Sequence, residues 1–122
     1  MEAIGPLQVR VMHYIWKHGP STVHDVHTAL NGQAGAAGKQ LAYTTILTVM
    51  RNLARRKFLS QAADGRAHRF SPLIDERTYK LGIMRQIRKD LFAGDVATML
   101  SYIAQDDEIE EPKRAKLREM TG

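Results

Sequence analysis

Between Leu41 and Phe58 the chain reads LAYTTILTVMRNLARRKF, and at about 100° per residue this stretch separates into two unlike faces. Ile46, Met50, Leu53 and Ala54 share one side. The other collects Thr44, Thr45, Thr48, Arg51, Asn52 and Arg55: hydroxyls, one amide and two guanidiniums, with no carboxylate among them. Solvated helix faces usually mix both charge signs, so a face of donors without acids points to a polyanionic partner. The guanidinium fork matches the acceptor pair of guanine and the carboxamide matches the edge of adenine, while hydroxyls and further cations suit phosphate oxygens. A helix of about 15 residues within Leu41–Phe58, roughly 22 Å long by its rise, fits a major groove about 12 Å wide. The chemistry implied is recognition of duplex DNA, with no bond made or broken.

A second cationic group follows. FLSQAADGRAHRFSP has the form of a β-hairpin joined through Asp64-Gly65, a dipeptide favoured in type I′ turns, and closed by Pro72. Arg66, His68 and Arg69 lie just past its tip, where they can meet a flanking phosphate or minor groove. The DNA-contact set read from the sequence is Ser21, Thr22, Tyr43, Thr44, Thr45, Thr48, Arg51, Asn52, Arg55, Arg66 and His68. Enzyme signatures are missing: there is no HExxH pair, no GxSxG turn and no carboxylate cluster beside a histidine. No catalytic residue and no cofactor are expected. His24 and His27 stand three apart on a helix, but zinc sites want three or four ligands and the chain has no cysteine, so no metal site is expected. Met12, Met50, Met84 and Met99 fall at apolar helical positions, where packing accounts for them.

Three elements must position these groups. Pro6 opens a first helix carrying Leu7, Val11, Met12, Ile15 and Trp16 on one face, and Gly19-Pro20 stops it. Trp16 lies on that apolar side and reads as core. Ser21 and Thr22 are good N-caps, and Thr22-Val23-His24-Asp25 resembles a capping box with Asp in place of Glu. Val23, Val26 and Leu30 form the stripe of a short second helix ending near Asn31-Gly32, and residues 32 to 39 read as a surface loop. Helix, helix, basic helix and basic hairpin is the order of a winged helix-turn-helix. The fold expected is therefore mainly α, with a winged helix-turn-helix DNA-binding domain over 1–73 and a three-helix dimerisation region over 74–122.

In that second region Asp75 caps a helix with Tyr79, Ile83, Ile87 and Leu91 spaced four apart until Gly94 interrupts. Asp95 caps another, carrying Val96, Met99, Leu100 and Ile103 on one face. After the acidic run 106 to 111, a last helix is expected to begin at Pro112, because a mid-helix proline costs about 3 kcal/mol. These stripes are too narrow for a core of their own, and a second copy of the chain is the simplest remedy. The net charge of +5 is uneven: residues 1–73 hold nine Lys/Arg against three Asp/Glu, and 74–122 hold nine against ten. The positive field belongs to the first region. No apolar run approaches the roughly 20 residues of a membrane span, and the start lacks a secretory pattern, so a cytoplasmic protein is expected.

The residues GPLQVRVMHYIWKHGPSTVHDVHTAL, LAYTTILTVMRNLARRK and DGRAHRFSPLID, spread over nearly the whole chain, resemble the penicillinase-repressor family of winged-helix regulators, the BlaI/MecI type. The resemblance implies a homodimer on an inverted-repeat operator, the third helix of each subunit in a major groove, and three C-terminal helices interlocked across the two-fold axis. Transcription is then blocked by occupancy, commonly of antibiotic-resistance genes. In the best-known members a membrane-bound sensor protease acts indirectly to cut the dimerisation region at an Asn-Phe bond. Ser101 and Tyr102 fall at the matching place and depart from that pair, so the resemblance carries repression across without carrying the inducing signal.

Two alternatives remain open from the residues alone. A winged-helix adaptor that docks on proteins would show acidic or apolar residues on its third helix, and a metal-responsive regulator would need more ligands than the two spaced histidines.

Overall fold

The computed structural model describes residues 2–34 and 40–121. Its elements run α1 (Pro6–His18), α2 (Val23–Ala34), α3 (Tyr43–Arg55), β1 (Leu59–Asp64), β2 (Ala67–Pro72), α4 (Glu76–Phe92), α5 (Val96–Ala104) and α6 (Glu111–Thr121). Contacts divide the chain into two compact units, Glu2–Tyr79 and the stretch from Lys80 onward. No helix among the described residues is long and apolar enough to cross a membrane.

The first unit is built around the apolar faces anticipated for its three helices. Val11, Met12 and Ile15 from α1, Val26 and Leu30 from α2, and Ile46, Met50 and Leu53 from α3 are all fully buried. Leu59 at the root of β1 and Phe70 on β2 close the same core. Trp16, expected as core, is only half-buried; its Nε1 donates to the Ile74 carbonyl at 2.9 Å, which pins the indole at the edge of the core. The capping box also forms: the Thr22 amide donates to Asp25 Oδ2 at 3.0 Å and the Asp25 amide to Thr22 Oγ1 at 3.1 Å.

Several expectations need correction. Helix α2 does not stop at Asn31-Gly32 but runs through Ala34, because an exposed glycine costs a helix only about 1 kcal/mol and no proline intervenes. Of the expected loop 32–39, residues 35–39 lie outside the described residues. Helix α3 is shorter than the expected Leu41–Phe58. It ends in a Schellman turn, with Lys57 NH on the Ala54 carbonyl at 3.1 Å, Phe58 NH on the Leu53 carbonyl at 2.9 Å and Lys57 at φ +70°.

The hairpin turn is also shifted by one residue. The register pairs Leu59 with Pro72 and Asp64 with Ala67, which leaves Gly65 and Arg66 as the central pair. Only Gly65, at φ +64°, is left-handed there, the pattern of a type II′ turn rather than type I′.

Ser21, expected at the DNA surface, is 2% exposed. Its backbone exchanges hydrogen bonds with Phe70 at 3.0 and 2.8 Å as a one-residue third strand, and its hydroxyl donates to the Gly19 carbonyl. Tyr79, expected in the dimerisation stripe, is likewise turned inward. It is 7% exposed, its ring lies 5.7 Å from Trp16 and 5.6 Å from Phe58, and its hydroxyl accepts from the Ile4 amide.

The C-terminal helices start where their caps predict. Asp75 accepts from the Thr78 amide at 2.7 Å and the Thr78 hydroxyl at 2.9 Å, and Asp95 accepts from the Ala97 amide and the Thr98 hydroxyl. Pro112 sits in the first turn of α6, where its missing N–H costs nothing.

Two predictions follow from this bonding. Lys57→Gly relieves a left-handed non-glycine residue and should raise stability by about 1 kcal/mol, read as a higher melting temperature. The carboxyls of Asp25, Asp75 and Asp95 are all held below the ordinary range, chiefly by the Thr22 amide, the Thr78 amide and the Thr98 hydroxyl respectively. A depressed carboxyl stabilises the fold above its unfolded pKa and ceases to do so once protonated, so the melting temperature should hold down to about pH 4 and fall below it. Replacing all three by asparagine should flatten that decline.

Candidate nucleic-acid interface

Helix α3 offers the barest polar surface of the first unit because its apolar side is wholly spent on the core. Ile46, Met50 and Leu53 are 0% exposed, which turns Thr44, Thr45, Thr48, Arg51 and Arg55 outward. Asn52 is half-buried at the edge of that face, and Tyr43 is 47% exposed at its start. The hairpin stands beside it. Leu59 and Phe70 root the hairpin in the core, while Ser60–Asp64 and Ala67–Arg69 are exposed along both strands.

Helix α3, the start of α2 and the hairpin enclose a concavity of about 260 Å³. Thr22, Tyr43, Arg51, Arg66 and His68 line it, so five of the residues singled out by sequence share one hollow. His24, Leu47 and Gln61 line it too and were not in that set. Leu47 follows Tyr43 by four residues and could have been found by helical spacing, but its apolar type reads as core. His24 stood out only as half of a metal pair. Its partner His27 is engaged elsewhere, with Nε2 2.8 Å from the Leu41 carbonyl and 3.0 Å from Asn31 Nδ2.

The arginines of this unit fall into two groups. Arg10 donates to the Leu30 carbonyl, Arg56 pairs with Glu2 at 3.0 Å and stacks on Phe58, and Arg69 is bound by Asp64. Arg51, Arg55 and Arg66 have no hydrogen bond or ion pair among the described residues. These three are the arginines left for an outside anion, and Arg69, three residues after Arg66, is tied back to its own hairpin. Asp25 is the acid at the mouth of α2. Its carboxylate is held in the charged state chiefly by the Thr22 amide, with Arg69 and His24 adding attraction, and is turned to capping duty. Thr22 uses its oxygen as the reciprocal acceptor, which leaves its O–H free to donate.

A family model described as penicillinase repressor matches residues 4–121. The transcriptional regulator BlaI of two Mycobacterium tuberculosis strains is 38% identical over 82 residues, a stretch covering 66% of this chain and 56% of each relative. Among solved structures, the DNA-binding domain of the repressor BlaI matches with a TM-score of 0.53 at 27% identity, over 65% of this chain and 94% of that one. Monomeric BlaI of Bacillus licheniformis in complex with the blaP half-operator matches with a TM-score of 0.50, also at 27% identity, over 64% of this chain and 89% of that one. The two solved neighbours share the winged-helix fold of the N-terminal unit, while the family match extends from residue 4 to residue 121 and takes in the C-terminal helices as well. On that evidence the chain belongs to the penicillinase repressor family.

Proposed function

We propose that this chain is a sequence-specific, DNA-binding transcriptional repressor that acts as a homodimer on an inverted-repeat operator. The observation that carries the reading is the outward face of α3, free of carboxylates, beside three cations with no internal partner. Thr44, Thr48, Arg51 and Asn52 face base edges; Thr22, Tyr43, Thr45, Arg55, Arg66 and His68 hold the sugar-phosphate backbone. The half-operator bound to the B. licheniformis relative supports the assignment of this fold to DNA.

The dimer rests on an imbalance of burial. Among the described residues, the unit from Lys80 onward buries only Met99 and Ala104. It also presents a largely apolar hollow of about 270 Å³, lined by Leu81, Met84, Val96, Met99, Leu100 and Ile103 together with Arg85 and Arg88. Leu91 is 73% exposed, and Ile83 and Ile87 are half-buried. A second copy covers these groups at about 25 cal/mol per Å² of apolar surface. Tyr79 takes no part, being committed to the first unit.

Release by an induced signal, such as proteolysis in the dimerisation region near Ser101 and Tyr102 with a membrane-bound sensor protease acting indirectly, belongs to the same proposal, although this pair departs from Asn-Phe. Both residues lie inside α5, so the bond between them becomes accessible only when that helix opens. An adaptor role is less well supported, since α3 lacks the acidic or apolar face that protein docking would use.

Duplexes selected from a random library with the wild-type chain test the DNA assignment. Arg51→Ala should weaken the selected duplex by roughly tenfold to a hundredfold and a scrambled one far less. Arg69→Ala, whose guanidinium is already bound by Asp64, should change either little. Arg55→Ala should lower the salt slope by about one. Equal affinity of the wild-type chain for both duplexes would refute sequence-specific repression. For the dimer, Ile103→Asp should shift the sedimenting species toward the monomer and weaken binding to a two-half-site duplex more than to a single half-site.

A further inference from the structure

Helix α3 begins without a cap of its own. Ala42 stands at the N-cap position, extended at φ −71° and ψ 148°, and offers no side-chain hydrogen bond. Between the end of α2 at Ala34 and Ala42 the sequence runs GAAGKQL, two of its seven residues glycine and Leu41 its one large apolar residue. The helix's own N-cap does not determine where the recognition face starts.

The last turns of α2 do. Asn31 Oδ1 accepts from the Leu41 amide at 2.7 Å, and Asn31 Nδ2 donates to the Leu41 carbonyl at 3.1 Å. One carboxamide thus engages both polar groups of a single peptide residue, as a neighbouring strand would. His27, one turn earlier on α2, brings Nε2 to 2.8 Å from the same carbonyl, and its ring stands edge-on to Tyr43 at 5.7 Å. The clamp therefore grips the residue two before α3 and touches the first residue of α3, which itself lines the concavity beside Arg51.

We infer that Asn31, supported by His27, is a positioning residue for DNA recognition: by pairing with the Leu41 backbone it sets the start of α3 and so the placement of Thr44, Thr48 and Arg51 against the bases. The inference rests on the DNA-binding reading above. Sequence-specific contacts need donors placed to within a fraction of an ångström, whereas attraction of cations to phosphate tolerates displacement. Loss of the clamp thus removes discrimination ahead of general affinity.

The test uses the full chain, the selected duplex and its scrambled counterpart, with hydrogen exchange at the Leu41 amide. Asn31→Ala keeps a good helix former in α2 and should fold with a melting temperature near that of the wild type. It should lose protection at Leu41 and weaken the selected duplex by about tenfold, with the scrambled duplex changed by no more than about twofold. Asn31→Asp keeps the oxygen that accepts from Leu41 but sets a second oxygen against its carbonyl in place of the donating amide, so it should restore protection and preference only in part, to a level between Asn31→Ala and the wild type. The inference is overturned if Asn31→Ala keeps the wild-type preference, if both duplexes weaken equally, or if Asn31→Asp behaves as Asn31→Ala does. A wild-type chain that shows no preference sinks the DNA reading itself, whatever the Asn31 variants do.

Discussion

The complete division of α3 into a core side and a bare side is the constraint on which the rest of the molecule depends. Three residues at spacings of four and three, Ile46, Met50 and Leu53, are withdrawn from water, and each such side chain is worth roughly 1.5–3 kcal/mol. That burial fixes the helix's rotation about its own axis, so the polar side has one orientation only. Helices α1 and α2 supply the other walls of the core, and Phe70 ties the hairpin to it. A helix free to roll would average its donors over many directions, and no sequence of bases could be read.

Once α3 is fixed, the remaining question is which charges stay available. An ion pair with an exposed carboxylate contributes at most about 1 kcal/mol, so the pairings of Arg56 with Glu2 and Arg69 with Asp64 matter little for stability. They matter more for sorting. Each acid close to the interface is already occupied, Asp64 by Arg69 and Asp25 by the amide that opens α2. Arg51, Arg55 and Arg66 then face water with no internal anion to compete for them, and a polyanion gains their full attraction together with the entropy of released counterions. The acids near the site keep its selected cations free by binding the others.

What was legible in the sequence had a period or a local partner. The apolar stripes of α1, α2 and α3, the Thr22–Asp25 box and the caps at Asp75 and Asp95 all depend on residues within four positions of each other, and all formed. Arg51, Arg66 and His68 were legible as candidates because helix and hairpin each carry their own pattern. What escaped notice joins residues far apart in the chain. Ser21 reads as a cap with an open hydroxyl, yet a single backbone bridge to Phe70 draws it inside, and one residue of strand leaves no alternation to detect. Tyr79 falls in register with Ile83 and Ile87, but the aromatic pocket made by Trp16 and Phe58 claims it. The turn slipped by one residue because Asp-Gly suits two turn types, and only cross-strand pairing decides between them. The Asn31–Leu41 pair spans a connection with no periodicity at all.

The two units also differ in how they meet the cost of folding. In the first, interlocked side chains from three helices and a hairpin bury a contiguous core, enough for ordered backbone in a small module. In the second, caps, intrahelical bonds and ion pairs such as Arg114 with Glu111 define where each helix starts, but they are local and leave tertiary packing thin. Helices of nine and eleven residues are marginal on their own in water. Their order must therefore be coupled to whatever covers Leu81, Met84 and Val96. If that cover is a second copy, folding of these helices and pairing of two DNA-reading faces become one equilibrium. Whatever opens α5 then loosens the grip on an operator without touching a single base contact.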